Sequence, residues 1–87
     1  MSDSMVVHHP ERFCFTIDTD GTESILQYQL HEQQVDFTRT FVPAELRGKG
    51  LAEKLVRHGL AWARAERLNI SASCWYVARF LTVAAQP

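Results

Sequence analysis

The chain has 87 residues, 46% of them apolar and 22% charged, with a net charge of −1 when its four histidines are neutral, which is the size and balance of one soluble globular domain. Near-neutral charge argues against broad electrostatic attraction to nucleic acid or to an anionic membrane, and no apolar run approaches the roughly eighteen residues that a transmembrane helix needs. Two cysteines, Cys14 and Cys74, are too few for a zinc site or a disulfide scaffold, and without signal-peptide features over Met1 to His9 the expected compartment is cytoplasmic, with both thiols reduced.

In chain order, residues 1–11 are mostly polar or small and predict a flexible, frayed or extended segment. Residues 12–87 are expected to form the single domain. Phe13, Phe15 and Ile17 alternate with Cys14, Thr16 and Asp18, the period of a strand with one apolar face. Asp18 to Thr22 carries turn chemistry. A second strand places Leu26, Tyr28 and Leu30 on one face. Glu32-Gln33-Gln34 then reads as a turn only from the pattern on either side. The third strand runs from about Val35 to Val42, with Val35, Phe37 and Phe41 on one face and Arg39 an awkward fourth member. Three such strands predict an antiparallel meander.

Pro43 cannot donate to a ladder and ends the third strand. The stretch to Gly50 is a loop. From Leu51 the period changes: Leu51, Ala52, Leu55, Val56, Gly59, Leu60 and Ala63 form a helical stripe, and the helix is expected to reach about Arg67. Ile70, Ala72 and Cys74 alternate with Ser71 and Ser73 as a fourth strand. A second helix covers Tyr76 to Ala84. The order β-β-β-α-β-α allows the last strand to lie parallel to the third.

The chemistry concentrates where the third strand gives way to the helix. The first amides of a helix lack intrahelical partners and carry the positive end of its dipole. Gly48 and Gly50 let backbone approach an anion closely, and Arg47 and Lys49 add positive charge. The loop reads as a phosphate cradle; the plainer alternative is a glycine-rich helix cap with two exposed cations. It is neither a Walker loop nor a dinucleotide-binding fingerprint.

Arg47-Gly48-Lys49-Gly50-Leu51-Ala52 resembles the acetyl-coenzyme A motif of the GNAT superfamily of N-acetyltransferases, closest in pattern to its short, single-domain YjdJ-type branch. Three blocks carry the likeness: Thr40 to Gly50, then Ala52 to Val56 with Ala61 to Arg64, then Cys74 to Ala78. The resemblance implies an α/β (α+β) fold: an antiparallel meander and a parallel, splayed last strand around a CoA cleft. It implies that Arg47, Gly48, Lys49, Gly50, Leu51 and Ala52 bind the pyrophosphate, mainly through backbone N–H groups. It implies that Phe41 and Val42 contact the acyl and pantetheine end. The chain departs from the branch pattern at Arg39, Ala72 and Trp75, where His, Pro and Ser are usual.

The resemblance also sets Cys74 beside the thioester, where a thiolate could accept acetyl and pass it on. The alternative is a small buried hydrophobe. Tyr76 could protonate the departing CoA thiolate, or be a half-buried aromatic with a wet tip. His58 reads as a solvated surface residue. His8 and His9 are adjacent and lack a third ligand, so no metal is expected. Trp62 and Trp75 read as core or cleft wall. Asp36 and Glu45 are the nearest carboxylates for a base, neither compelling. The expected function is acetyl transfer from acetyl-CoA to an amine, through acetyl-Cys74 or directly, by a monomer with no nucleic-acid or membrane partner. The alternative is a CoA-binding or protein-interaction module without turnover.

Overall fold

The computed structural model describes residues 5–84. Five strands form one sheet in sequential order: β1 (Val6–His9), β2 (Cys14–Thr19), β3 (Thr22–His31), β4 (Gln34–Phe41) and β5 (Asn69–Ala72). The first four are antiparallel neighbours, and β5 lies parallel to β4. Helix α1 (Leu51–Ala65) connects β4 to β5, and α2 (Trp75–Ala84) follows β5. The meander, the parallel last strand and both helices are where the sequence pattern puts them. α1 ends two residues short of the expected Arg67, which takes a left-handed φ of 59°.

Of the expected N-terminal segment 1–11, residues 1–4 lie outside the described residues. Val6–His9 is not a flexible stretch but an edge strand paired with β2, from Val6 opposite Ile17 to His9 opposite Cys14. A 3-10 turn, Pro10–Arg12, joins them. Phe13 is not a strand residue. It caps that turn at φ 57° and is 48% exposed, so the strand begins at Cys14. The two hairpins differ in chemistry. Asp20 (φ 52°) and Gly21 (φ 84°) both take positive φ, the two-residue turn that matches strand twist. Glu32 adopts φ 55° without a glycine, which explains why composition signals that turn weakly.

The core lies between one face of the sheet and α1. Phe15, Ile17, Leu26, Tyr28, Val35 and Phe37 meet Leu51, Leu55, Val56, Leu60 and Ala63, and Val77 of α2 joins them. Leu30, expected on the same face as Leu26 and Tyr28, is 40% exposed near the end of β3. Gly59 brings α1 close: a Cβ there would stand 2.9 Å from Leu26 Cδ2 and 3.1 Å from Phe37 Cε1.

A bulge in β4 positions the site. Tyr28 pairs with Phe37 and Gln27 with Arg39, so Thr38 is the extra residue. A bulge shifts the alternation of faces by one. Val35 and Phe37 are buried, but beyond the bulge it is Thr40, opposite buried Leu26, that takes the core face. Arg39 and Phe41 turn to the other side. The expected single face of Val35, Phe37 and Phe41 is therefore wrong past Phe37, and Arg39 is awkward only if the strand is regular.

Candidate active site

β4 and β5 pair only from Gln34 opposite Asn69 to Phe37 opposite Ala72. The last backbone–backbone hydrogen bond is Cys74 N–H donating to Phe37 C=O at 3.1 Å. Beyond it β4 continues to Phe41 with no β5 partner, and the chain after Cys74 turns into α2. The two elements part and leave a cleft. Asp36 fixes the parting point. Its carboxylate accepts from Ser73 N–H at 2.9 Å, Ser73 Oγ at 2.7 Å and Ser71 Oγ at 3.3 Å. With those bonds it is a latch rather than a base. Glu45 is exposed on the 3-10 turn Ala44–Leu46.

The loop entering α1 has the conformation its glycines permit. Gly48 and Gly50 take φ 86° and 77°, a region costly for other residues. Buried Leu46 plugs the loop into the core. Arg47 folds back, donating from Nε to Val42 C=O at 3.0 Å. α1 starts at a glycine with no capping side chain. Its first helical bond runs from Lys54 N–H to Gly50 C=O, so the N–H groups of Leu51, Ala52 and Glu53 have no intrahelical acceptor. A cavity of about 180 Å³ lies over them, lined by Val42, Leu46, Arg47, Gly48, Gly50, Leu51, Ala52, Glu53 and Tyr76. A Cβ built at Gly48 or Gly50 meets nothing within 4 Å. This surface can hold an anion.

A second cavity, of about 380 Å³, is lined by Thr40, Phe41, Val42, Arg47, Ala52, Cys74, Trp75 and Tyr76. The two share Val42, Arg47, Ala52 and Tyr76, so helix start and cleft form one continuous groove. Nine of the ten residues singled out from sequence line it. Lys49 lines neither cavity and is exposed.

Cys74 is not on a strand, as its alternation with Ile70 and Ala72 suggests. It precedes α2 at the cap position, where a side-chain acceptor meets the first amides. Burial pushes its thiol up, but hydrogen bonds outweigh this and leave it lowered: from Val77 N–H, from the Thr40 hydroxyl, and from the Tyr76 and Thr40 amides. Thr40 Oγ1 lies 3.6 Å from Sγ. The sequence assigns Thr40 no chemical part; only the bulge, which composition does not signal, turns it toward Cys74. Tyr76 is raised by burial and then by the nearby Glu53 charge, so its phenol stays protonated. Cys14 is buried on β2 and raised by that burial.

Trp75 is cleft wall yet 70% exposed, whereas Trp62 is half-buried against Tyr28 and His8. His58 is exposed, as expected. His8 is structural: it stacks on Phe15 at 4.1 Å and shares a 2.7 Å hydrogen bond with the Tyr28 hydroxyl. Among the described residues no helix is long and apolar enough to cross a membrane.

Comparison with known proteins agrees with this geometry. Residues 12–86 match the model of the GCN5-related N-acetyltransferase family. Protein NATD1 of Bos taurus is 32% identical over 79 residues, spanning 87% of this chain and 70% of its own length. NATD1 of Homo sapiens is 30% identical over the same span of this chain and 70% of its own. The NMR solution structure of a GCN5-like protein from Staphylococcus aureus superposes with a TM-score of 0.72 at 25% identity, covering 97% of this chain and 83% of the other. The continuous groove at a splayed strand pair thus occurs on the matching fold, and the chain belongs to the GCN5-related N-acetyltransferase family.

Proposed function

We propose that this protein transfers acetyl from acetyl-CoA to an amine, with Cys74 as the first acceptor and Tyr76 as proton donor. The supporting observation is the continuity of the groove: an uncapped helix start at one end, and at the other a thiol pulled toward its thiolate. The amides of Leu51 and Ala52, with the Gly48–Gly50 backbone, hold the pyrophosphate. Phe41 and Val42 border the path toward the thioester. Arg47 braces the loop through Val42 and lends its charge to both cavities. Lys49 contributes charge at longer range.

In the first step Cys74 Sγ bonds to the acetyl carbon as the carbon–sulfur bond to CoA breaks. The departing CoA thiolate takes the proton of the Tyr76 hydroxyl. In the second step the acceptor nitrogen attacks the Cys74 thioester, Cys74 leaves as thiolate, and the nitrogen's proton restores the Tyr76 phenol. Thr40 steadies the Cys74 thiolate before the first step and again when the second releases it.

Intact mass spectrometry tests this. Without an amine, acetyl-CoA is expected to add one acetyl group to the wild type and to Cys14→Ala, and none to Cys74→Ala. CoA affinity of Cys74→Ala should stay within about tenfold, or ~1.4 kcal/mol. Amine acetylation without any acetyl-protein would make direct amine attack the mechanism. Acetyl-CoA binding without either reaction would make the chain a binding module.

A further inference from the structure

The acceptor end of the cleft has a chemical character that the overall charge conceals. The chain is near neutral, yet among the described residues no Asp or Glu lines the cavity at Cys74. Its outer wall is Phe41, 39% exposed, and Trp75, 70% exposed. Each ring carries a guanidinium. Arg39 lies 5.5 Å from the Phe41 centroid. Arg79 lies 5.7 Å from Trp75 and 5.9 Å from Tyr76. Beyond the bulge in β4, Arg39 and Phe41 share the sheet face away from the core, and Phe41 lines the cavity. Of the carboxylates in this region, Asp36 is held by the two serines and Glu53 by Arg57 at 2.7 Å, while Glu45 is exposed on its 3-10 turn.

We infer that the acceptor is an amine bearing a carboxylate and a flat apolar group, an aromatic amino-carboxylate in the simplest case, and that polyamines are rejected. The inference rests on the acetyltransferase reading above. Guanidinium groups held over ring faces present a planar donor edge to a carboxylate. The exposed Phe41 and Trp75 rings supply the surface for an apolar group. A second ammonium brought beside either guanidinium meets like charge, which selects against it. The reaction itself is unchanged: the acceptor nitrogen bonds to the acetyl carbon, the carbon–sulfur bond of the Cys74 thioester breaks, and the nitrogen proton restores the Tyr76 phenol.

Steady-state acetylation of phenylalanine, phenethylamine and spermidine separates the possibilities, with CoA release as the readout. Phenethylamine is phenylalanine without the carboxylate. The expected kcat/KM for phenylalanine exceeds both others by about tenfold or more. In Arg79→Gln and Arg39→Gln the KM for phenylalanine rises by about fivefold or more, while acetyl-CoA affinity and the rate with phenethylamine hold. Spermidine equalling or surpassing phenylalanine overturns the inference and leaves the acetyltransferase reading standing. So does a carboxylate preference that survives the double arginine variant. Acetyl-CoA binding with no transfer to any of the three amines, and no acetyl-protein, overturns the acetyltransferase reading and this inference with it.

Discussion

Two thiols in one small chain make an internal comparison. Cys14 is 1% exposed, and burial pushes its pKa up. Cys74 sits at a helix start, with four hydrogen bonds drawing it down against its own burial. The thiolate is the nucleophile, so iodoacetamide near pH 7 is expected to alkylate Cys74 at least about tenfold faster than Cys14. Thr40→Val removes one hydroxyl donor and is expected to slow that reaction by a few-fold. Peptide mass mapping over time reads both. Equal rates at the two cysteines would remove the basis for Cys74 as nucleophile. The glycines at 48 and 50 make a second contrast. No protein atom blocks a side chain there, so the strain of Gly50→Val is in the backbone, of order 1–2 kcal/mol. Its expected loss of acetyl-CoA affinity, at least about 1 kcal/mol, reports on ligand space. Calorimetry on the folded variant measures it. The glycine loop was legible because turn chemistry is local. The cap position of Cys74 was not, because Ile70, Ala72 and Cys74 keep strand alternation for two residues past the point where β5 ends.

Among the elements, α1 announces itself through its stripe, and its buried set agrees with that stripe from Leu51 to Ala63. Gly59 within it has a reason that only packing reveals: the helix axis approaches Leu26 and Phe37. Gly59→Val is expected to lower unfolding free energy by at least about 2 kcal/mol, through overpacking and β-branching together. Gly59→Ala should cost less, because about 1 kcal/mol of helix propensity offsets part of the clash. Urea denaturation gives both values, and a neutral Gly59→Val would mean a looser helix–sheet contact. β4 is the element sequence describes least well. Its bulge at Thr38 carries no glycine or proline, and strict alternation assigns Arg39 and Phe41 to the wrong face. The bulge arises from long-range pairing with Gln27 and Tyr28, to which a window of neighbours is blind. That one extra residue gives Cys74 its hydroxyl partner.

At the scale of the molecule, the first strand completes the sheet through side chains rather than apolar periodicity. Val6-Val7-His8-His9 is too short and too polar to read as a strand. In place, His8 joins Phe15, Tyr28 and Trp62 in one aromatic cluster, and His9 shares a 2.8 Å bond with Thr16. Burial, then the charges of His58 and His9, lower the pKa of His8, while Glu11 and Glu66 act the other way. A histidine lowered in the native state binds its proton better when unfolded. Its contribution is fully present above about pH 6.5 and is lost as pH falls through that value toward the native pKa. His8→Ala is expected to lower stability by about 1–3 kcal/mol near pH 7.5, and the gap in Tm from wild type should narrow by about pH 5.5. A gap that widens on acidification would mean that His8 is charged in the cluster.

The account as a whole turns on acetyl-CoA lying along the groove from the start of α1 to Cys74. Backbone amide NMR during an acetyl-CoA titration measures this most directly. The largest shifts are expected at Gly48 to Ala52, with a second group at Phe41, Val42 and Cys74 to Tyr76. The hairpin turn at Asp20 and Gly21, equally glycine-bearing and remote from both cavities, should stay still. Saturating acetyl-CoA without shifts at the start of α1, or with its largest shifts in that hairpin, would contradict the account.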